Sequence, residues 1–240
     1  MAKCKLCGTN VPKLAKSHII PRSLYGQAFV GSAGPPKILS SAPSARATRS
    51  RTGEYDAKLM CNPCEASLSE FDDYAHQLLL KTDPVEVIYD NGAPLAARFD
   101  QVETGKLRVF FISLFWRMHS TDRPLFSNFS LGDLEPEYRK ATLEKNPLAA
   151  PDMEIVITMY HASDTPVLGP VRDEIDGVKG YRFTFSGCSI WVKLDRQSLP
   201  SCFEGLSLSS NGSLIVLLSE FSSSPECAAL IKLVLKERNR

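Results

Sequence analysis

The sequence predicts an α+β fold, in which a small cysteine-stapled module precedes a domain of helices and antiparallel strands. Two CxxC pairs bracket a first segment with few large apolar side chains. Beyond that segment, apolar runs with helical spacing are followed by short runs rich in β-branched residues. We therefore predict a module over residues 1–82 and a mixed helix and antiparallel-sheet domain over residues 83–240, with the boundary near residues 82–84.

Local patterns assign the elements in chain order. Asn62-Pro63 favours a helix start, because proline is tolerated in the first helical turn, and apolar residues at helical spacing extend the helix over 62–81. Asn91-Gly92 predicts a turn between two strands, in a loop longer than the tightest type. The other predicted elements are strands 85–89 and 95–99, helices 106–119 and 134–145, strands 153–161, 180–185, 189–194 and 213–219, and a helix over 225–237.

The amino-acid composition limits the classes of protein to which this chain can belong. The chain has 240 residues, of which 43% are hydrophobic, and this is enough to bury a core. No apolar run reaches the roughly 18 residues that a membrane helix needs, and the start MAKCKLCGTN lacks the apolar core of a signal peptide. We therefore expect a soluble cytoplasmic protein with no membrane partner. In a reducing cytosol, paired cysteines indicate a metal more than a disulfide.

Positive charge is concentrated at one end of the chain. Residues 1–55 contain nine Lys or Arg and one acidic residue, a net charge of +8, whereas the whole chain carries +1. Part of this segment, residues 33–54, is rich in Ser, Ala, Pro and Gly and predicts a long surface loop. Such a segment attracts a polyanion, although a solvated basic face with no partner is the alternative. The candidate nucleic-acid contacts are Lys16, Arg22, Arg46, Arg49 and Arg51.

The two CxxC pairs predict a structural zinc site. Cys4 and Cys7, followed by the turn residue Gly8, can present two thiolates from a tight turn, and Cys61 and Cys64 can add two more. Four thiolates complete the tetrahedral coordination of Zn(II). Free thiols and a thioredoxin-like redox pair are the alternatives, and no βαβ pattern surrounds either pair to support the second. Three isolated cysteines are interpreted as ordinary buried residues: Cys188, Cys202 and Cys227.

A histidine lies between the two pairs, in the string KSHIIPR at residues 16–22. Its β-branched followers and the proline predict a short strand that ends at the proline. Directly after the second pair, Glu65 opens the predicted helix. The order CxxC, His-Ile-Ile-Pro and CxxC with a polar follower resembles the HNH, or ββα-metal, nuclease family over about residues 1–80. The resemblance is to its zinc-bearing branch, which includes phage junction-resolving endonucleases.

The resemblance implies a zinc-stapled ββα-metal module, in which a catalytic Mg(II) or Mn(II) ion lies between a hairpin and a helix. It implies that His18 is the general base that activates water against a phosphodiester. It also implies that Glu65 is a ligand of the catalytic ion, because carboxylates suit these cations. Ser17 stands where the family usually has an acidic ligand. Further ligand candidates are Asp56 and, on one helix face, Ser69, Asp72 and His76.

Each role has a structural alternative. His18 can instead be a buried residue that supports the zinc hairpin, and Glu65 can be a carboxylate favoured by the helix dipole. Asp72 and Asp73 are expected on a solvated helix face. The remaining histidines are expected to be structural: His76, His119 and His161.

Two functional hypotheses follow. The first is a metal-dependent HNH endonuclease that cleaves DNA, with RNA left open; the resemblance implies a place in a bacterial anti-phage or mobile-element system. The second is a non-catalytic zinc module that binds nucleic acid or a partner protein, and Ser17 favours it. Residues 83–240 carry no catalytic motif and are expected to recognise a target, bind a partner from the same operon or form an oligomer. Arg108 and Arg117 lie on opposite sides of their helix and are not expected to form one site.

Overall fold

The structure, a computed structural model, begins with short strands. It describes residues 1–29, 37–38, 48–49, 52–150, 152–160, 167–208, 212–228 and 231–232. Antiparallel pairing joins the first strand to the second, the third to the sixth and the fourth to the fifth. The six two-residue strands are β1 (Ala2–Lys3), β2 (Asn10–Val11), β3 (Ser17–His18), β4 (Lys37–Ile38), β5 (Thr48–Arg49) and β6 (Tyr55–Asp56).

Helix α1 (Asn62–Lys81) matches the predicted helix. A proline occupies its first turn, where the missing N–H costs nothing, and Thr82 ends it in an extended conformation before Asp83-Pro84. Its apolar residues at helical spacing are buried as predicted: Leu68, Phe71, Ala75, Leu78 and Leu79.

Seven strands form one large sheet, in the order β10-β11-β12-β9-β13-β8-β7. The pairs are antiparallel except β13 with β9, which is parallel. The predicted strands after residue 150 therefore share their sheet with the predicted hairpin. The strands are β7 (Glu86–Asp90), β8 (Ala93–Phe99), β9 (Glu154–Tyr160), β10 (Leu168–Ile175), β11 (Val178–Phe185), β12 (Cys188–Lys193) and β13 (Leu214–Ser219).

Two details of the sheet differ from the prediction. Asn91 and Gly92 alone connect β7 to β8, with φ of 49° and 82°, so the expectation of a longer loop is wrong. Positive φ at both positions is typical of a type I′ turn, which glycine tolerates best. Strand β10 was not predicted, because it contains Gly169-Pro170 and a register shift between Leu168 and Val171. It lies at a sheet edge, where proline is accepted.

Two further helices lie between β8 and β9: α2 (Thr104–Ser120) and α3 (Glu135–Glu144). All side chains from residue 109 to residue 118 are buried, so α2 is a central helix. The ring of Phe115 meets that of Phe183 in the sheet edge to face, with centroids 6.0 Å apart. One cluster of buried residues runs from Cys4 to Val216, across the predicted boundary near residues 82–84.

The C-terminal part of the described chain is helical. Residues 225–228 and 231–232 are helical, within the predicted helix 225–237, and the rest of that prediction lies outside the described residues. Across the described ranges, no helix combines the length and apolarity that crossing a bilayer requires.

Candidate metal centre and histidine site

The four cysteines of the two CxxC pairs converge on one point. The sulfurs of Cys4 and Cys64 lie 3.9 Å apart, and those of Cys7 and Cys61 lie 3.8 Å apart. All four sulfurs fall within 4.8 Å of one another. A tetrahedral ion with metal–sulfur bonds of about 2.3 Å places its sulfurs roughly 3.8 Å apart. The distances far exceed the roughly 2.05 Å of a disulfide, so the cysteines are positioned to hold a metal ion.

Backbone hydrogen bonds fix both cysteine pairs. The amide of Gly8 donates to the carbonyl of Cys4 at 2.9 Å, which closes the first turn, and Gly8 has a φ of 78°. The amide of Lys5 donates to the carbonyl of Leu59 at 2.9 Å, tying the first turn to the chain before the second pair. The amide of Cys61, at the start of α1, donates to the sulfur of Cys4 at 3.3 Å. These contacts bring two distant pairs together.

The acid–base chemistry of the thiols fits a cation. Hydrogen bonds with the side chain and backbone of Thr9 lower the pKa of Cys7 to about 6. Burial and the neighbouring thiols raise the pKa of Cys64 well above its ordinary value. Four thiolates this close repel one another unless a cation lies between them. Of the cysteines outside the cluster, Cys188 is buried as predicted, whereas Cys202 is exposed and Cys227 is half-buried.

His18 lies beside this cluster, on a strand pair that precedes α1. In the β3–β6 pairing, His18 faces Tyr55 and Ser17 faces Asp56. The His18 ring donates to the backbone carbonyl of Thr52. Its Nε2 is buried and has no hydrogen-bond partner among the described residues, so the donor to Thr52 is Nδ1. Burial lowers the pKa of His18, which leaves Nε2 with a free lone pair at neutral pH.

Glu65 stands in the first turn of α1, next to the last cysteine. Its amide donates to the carbonyl of Cys61 at 3.0 Å, as expected for a helical residue. Its Oε2 is buried and also has no hydrogen-bond partner in the described part of the chain. The Glu65 charge raises the pKa of His18 but does not outweigh burial, which places the carboxylate within electrostatic range of the imidazole. The sequence-predicted pair is thus in one neighbourhood.

The other acidic candidates are engaged elsewhere. Asp56 accepts hydrogen bonds from Thr121 Oγ1 at 2.8 Å and from the amide of Lys58 at 2.7 Å. Successive strand residues point to opposite faces, so Asp56 shares a face with Ser17 and not with Tyr55 and His18. Ser17 is fully buried, and its Oγ has no hydrogen-bond partner within the described ranges.

Asp72 was predicted on a solvated face, and that prediction is wrong. Its side chain is 17% exposed and forms a two-pronged ion pair with Arg117, which is 1% exposed. The Nη2–Oδ1 and Nη1–Oδ2 distances are 2.7 and 3.1 Å. Asp73 is exposed, as predicted, and Ser69 donates to the carbonyl of Ala66 within α1. Asp72 of α1 is turned toward the protein interior because Arg117 of α2 pairs with its carboxylate.

The end of α2 contacts several segments of the N-terminal part. Arg117 Nη1 donates to the carbonyl of His18 at 3.2 Å, and Lys5 Nζ donates to the carbonyl of Ser120 at 2.6 Å. Arg123 Nε lies 2.7 Å from Glu54 Oε2. We call four residues the α2 clasp: Arg117, Ser120, Thr121 and Arg123. Sequence reasoning missed it, although one arginine inside an apolar helix signals a charge that must be paired.

The predicted nucleic-acid contacts are only partly described. Lys16 and Arg22 are exposed on either side of His18 in the chain, and Lys16 Nζ lies 5.7 Å from the centre of the Tyr55 ring. Arg22 is close enough for its charge to lower the pKa of His18. Arg46 and Arg51 lie outside the described residues, and only the backbone of Arg49, in β5, is described.

Of the three histidines predicted to be structural, the structure describes two. His119 Nδ1 accepts a hydrogen bond from the amide of Leu131 at 3.2 Å, which suits a structural role. His76 is half-buried on α1, and His161 lies outside the described residues. The arginine predicted opposite Arg117, Arg108, donates to backbone carbonyls of residues 147, 150 and 153.

The chain matches no protein-family model, no curated protein and no solved structure. The function therefore has to be argued from the chemistry of the site.

Proposed function

We propose that this chain is a metal-dependent endonuclease of the HNH type that hydrolyses phosphodiester bonds in DNA. The order of elements supports this: strand β3 carries His18, β6 pairs with it, and α1 follows with Glu65 in its first turn. That order is the one the family resemblance implies. A place in an anti-phage or mobile-element system stays a prediction.

One observation carries the proposal. His18 Nε2 and Glu65 Oε2 are both buried without a hydrogen-bond partner among the described residues. Leaving such a group unpaired costs about 1–3 kcal/mol, so proteins rarely keep two in one place without use. An imidazole nitrogen and a carboxylate oxygen together suit a proton acceptor and a cation ligand. Their shared neighbourhood supports a site that acts on a bound ligand.

The residues divide the chemistry between them. His18 Nε2 accepts the proton of the attacking water, and Nδ1 keeps its hydrogen bond to Thr52, which fixes the tautomer. Glu65 would hold a Mg(II) or Mn(II) ion, which, when bound, stabilises negative charge on the phosphate and on the leaving oxygen. Lys16 and Arg22 are exposed near His18 and would contact flanking phosphates. One carboxylate is compatible with Mg(II), which keeps several waters of its own.

The metal of the cysteine cluster is proposed to be structural zinc. Four sulfurs and no open position are typical of structural zinc sites, and thiolates select zinc over magnesium. Cys64 and Glu65 are neighbours at the start of α1, so zinc would anchor the helix end that presents Glu65. The cysteines would then shape the site without taking part in the reaction.

A non-catalytic zinc module is the second candidate, and both Ser17 and the burial of His18 Nε2 and Glu65 Oε2 favour it. A buried hydroxyl replaces the expected acidic ligand, and Asp56 does not supply a substitute because Thr121 and Lys58 engage its carboxylate. Such a module would bind nucleic acid or a partner protein without cutting. Its DNA affinity would fall steeply with salt, because binding would depend on phosphate contacts.

Cleavage of supercoiled plasmid separates the two candidates. We expect the zinc-loaded protein to nick the plasmid with Mg(II) or Mn(II), and His18→Ala to lose at least about 100-fold in rate, since general bases contribute on that order. Elemental analysis should give one zinc per chain for both proteins. His76→Ala is the matched control, because His76 stands 11 residues after Glu65 in α1, about 16 Å along the helix axis, and should leave nicking unchanged.

Two results would reject the nuclease. One is binding of DNA by the wild type without cleavage in any divalent metal, which would favour the second candidate. The other is full activity of His18→Ala with zinc retained, which would remove His18 from the mechanism.

A further inference from the structure

Arg117 reaches the candidate site from outside the strand–helix segment that carries His18 and Glu65. It belongs to α2 and stands 99 positions from His18 in the chain. Its guanidinium donates to the carbonyl of His18 at 3.2 Å and to both carboxylate oxygens of Asp72 at 2.7 and 3.1 Å. Arg117 also donates to Ser113, to its carbonyl at 3.3 Å and to its hydroxyl at 3.1 Å.

These contacts fix the orientation of the guanidinium. The arginine fork is planar and rigid, so the bidentate pair with Asp72 and the contacts with Ser113 leave it few orientations. Its burial adds to this, because a side chain that is 1% exposed cannot exchange these partners for water. The hydrogen bond to the carbonyl of His18 is therefore a contact made by a preorganised donor.

His18 is held at two points as a result. Arg117 holds the carbonyl of His18, and the carbonyl of Thr52 holds the imidazole through Nδ1. The β3–β6 pair consists of only two residues in each strand, with one further hydrogen bond from the amide of Ile19 to the carbonyl of Glu54 at 3.1 Å, and a strand pair this short is marginally stable by itself. Release of the carbonyl would let β3 shift and would move Nε2 relative to Glu65.

We infer that Arg117 is a positioning residue of the His18 site: paired with Asp72 of α1, it holds the His18 backbone and thereby the place of Nε2 in the site that His18 shares with Glu65. The effect on cleavage rests on the proposed nuclease function, whereas the effect on the geometry of His18 does not. Helix α2 thereby becomes part of the site, although its arginine touches neither substrate nor metal.

The test compares two arginines of the same helix in the full-length, zinc-loaded protein. Arg117→Lys keeps the charge and removes the planar fork. Arg108→Lys is the matched control, because Arg108 also donates to backbone carbonyls, those of Pro147, Ala150 and Met153, away from His18. The first readout is the NMR signals of the His18 imidazole, assigned by their loss in His18→Ala. The second is the kcat and KM of plasmid nicking.

We expect Arg117→Lys to shift the His18 ring signals and Arg108→Lys to leave them in place. In nicking, Arg117→Lys should lower kcat about 10-fold or more, since misplacing a reacting group by an ångström costs up to about 100-fold. KM should stay within about twofold, because the exposed cations that would bind DNA are untouched. Equal effects of both variants on the His18 signals, or none from Arg117→Lys, would overturn the inference.

Two further outcomes are informative. If the wild type does not cleave but Arg117→Lys moves the His18 signals, the nuclease proposal fails and the positioning role stands. If Arg117→Lys does not fold, Asp72→Asn replaces it, because Asp72 is partly exposed and its loss leaves the arginine in place. Asp72→Asn should move the same signals by a smaller amount, and unchanged signals would reject the role.

Discussion

The cysteine cluster and the His18–Glu65 site are neighbours, joined at Cys64 and Glu65, but they are held in different ways. The cluster is built by one tight turn and by the first turn of α1, and its sulfurs lie within 4.8 Å of one another. The second site keeps two buried polar atoms without protein partners in the described chain, and helix α2, beyond the boundary predicted near residues 82–84, holds its backbone. The difference is that the four sulfurs are arranged around one point that an ion can fill, whereas the two unpaired atoms of the second site carry a cost that we propose a bound ligand offsets.

Loss of a cysteine should have the largest effect. Cys4→Ser removes a ligand, and structural zinc contributes on the order of 10 kcal/mol to the folding of small zinc modules. We expect the protein to lose its zinc and its N-terminal part to unfold, measured by elemental analysis and circular dichroism. Cys202→Ser is the control, because Cys202 is exposed and outside the cluster. One zinc per chain in Cys4→Ser would show that the cluster is not the site.

Arg117→Met should have the next largest effect on stability. It leaves the carboxylate of Asp72 and the carbonyl of His18 without their donor, and breaking a buried pair costs about 3 kcal/mol or more. Urea unfolding of the zinc-loaded protein measures it. Arg117→Met with Asp72→Leu should recover part of the loss, because no unpaired charge remains. A double variant less stable than Arg117→Met would mean that Asp72 acts through other contacts.

Thr121→Val tests a smaller contact of the α2 clasp. The change keeps the shape of the side chain and removes two hydrogen bonds: the one accepted from the amide of Arg123 at 3.2 Å and the one donated to Asp56, which is worth about 1.5 kcal/mol for a buried carboxylate acceptor. The midpoint of urea unfolding should fall with an unchanged slope. Zinc content should not change, because this contact lies outside the cysteine cluster. A loss of zinc would mean that the α2 clasp and the cysteine cluster unfold as one unit.

Glu65→Gln should have the smallest effect on stability and a large one on cation binding. Glu65 Oε2 has no hydrogen-bond partner to lose among the described residues, so we expect a change within about 0.5 kcal/mol. Binding of Mn(II) to the zinc-loaded protein, followed by electron paramagnetic resonance, should weaken at least about 10-fold, the scale reported for losing a group that supports a metal. Strong destabilisation would place Glu65 among the structural carboxylates.

The features that the sequence predicted correctly are those that depend on residues close together in the chain. The cysteine pairs, helix α1 and the β7–β8 hairpin are encoded within a few residues each, and the structure has all of them. Strand β10 was missed because Gly169-Pro170 mimics a loop, and the parallel β9–β13 pair depends on a chain crossing that local patterns do not contain. The prediction that Asp72 is solvated was wrong because its partner, Arg117, is 45 positions away in the sequence. A single sequence gives the charge of Arg117 but not the partner that satisfies it.

The α2 clasp also limits which parts of this chain can be transferred to another protein by recombination or by engineering. A fragment that stops after α1 retains all four cysteines, His18 and Glu65, but it lacks the donors that residues 117–123 supply to His18, Asp56 and Glu54. We therefore do not expect the first third of the chain to keep the geometry of this site when it is transferred to another protein alone. Recombination between α1 and β7 would separate His18 from Arg117, which we infer positions it, so residues 1–81 and helix α2 have to be exchanged together.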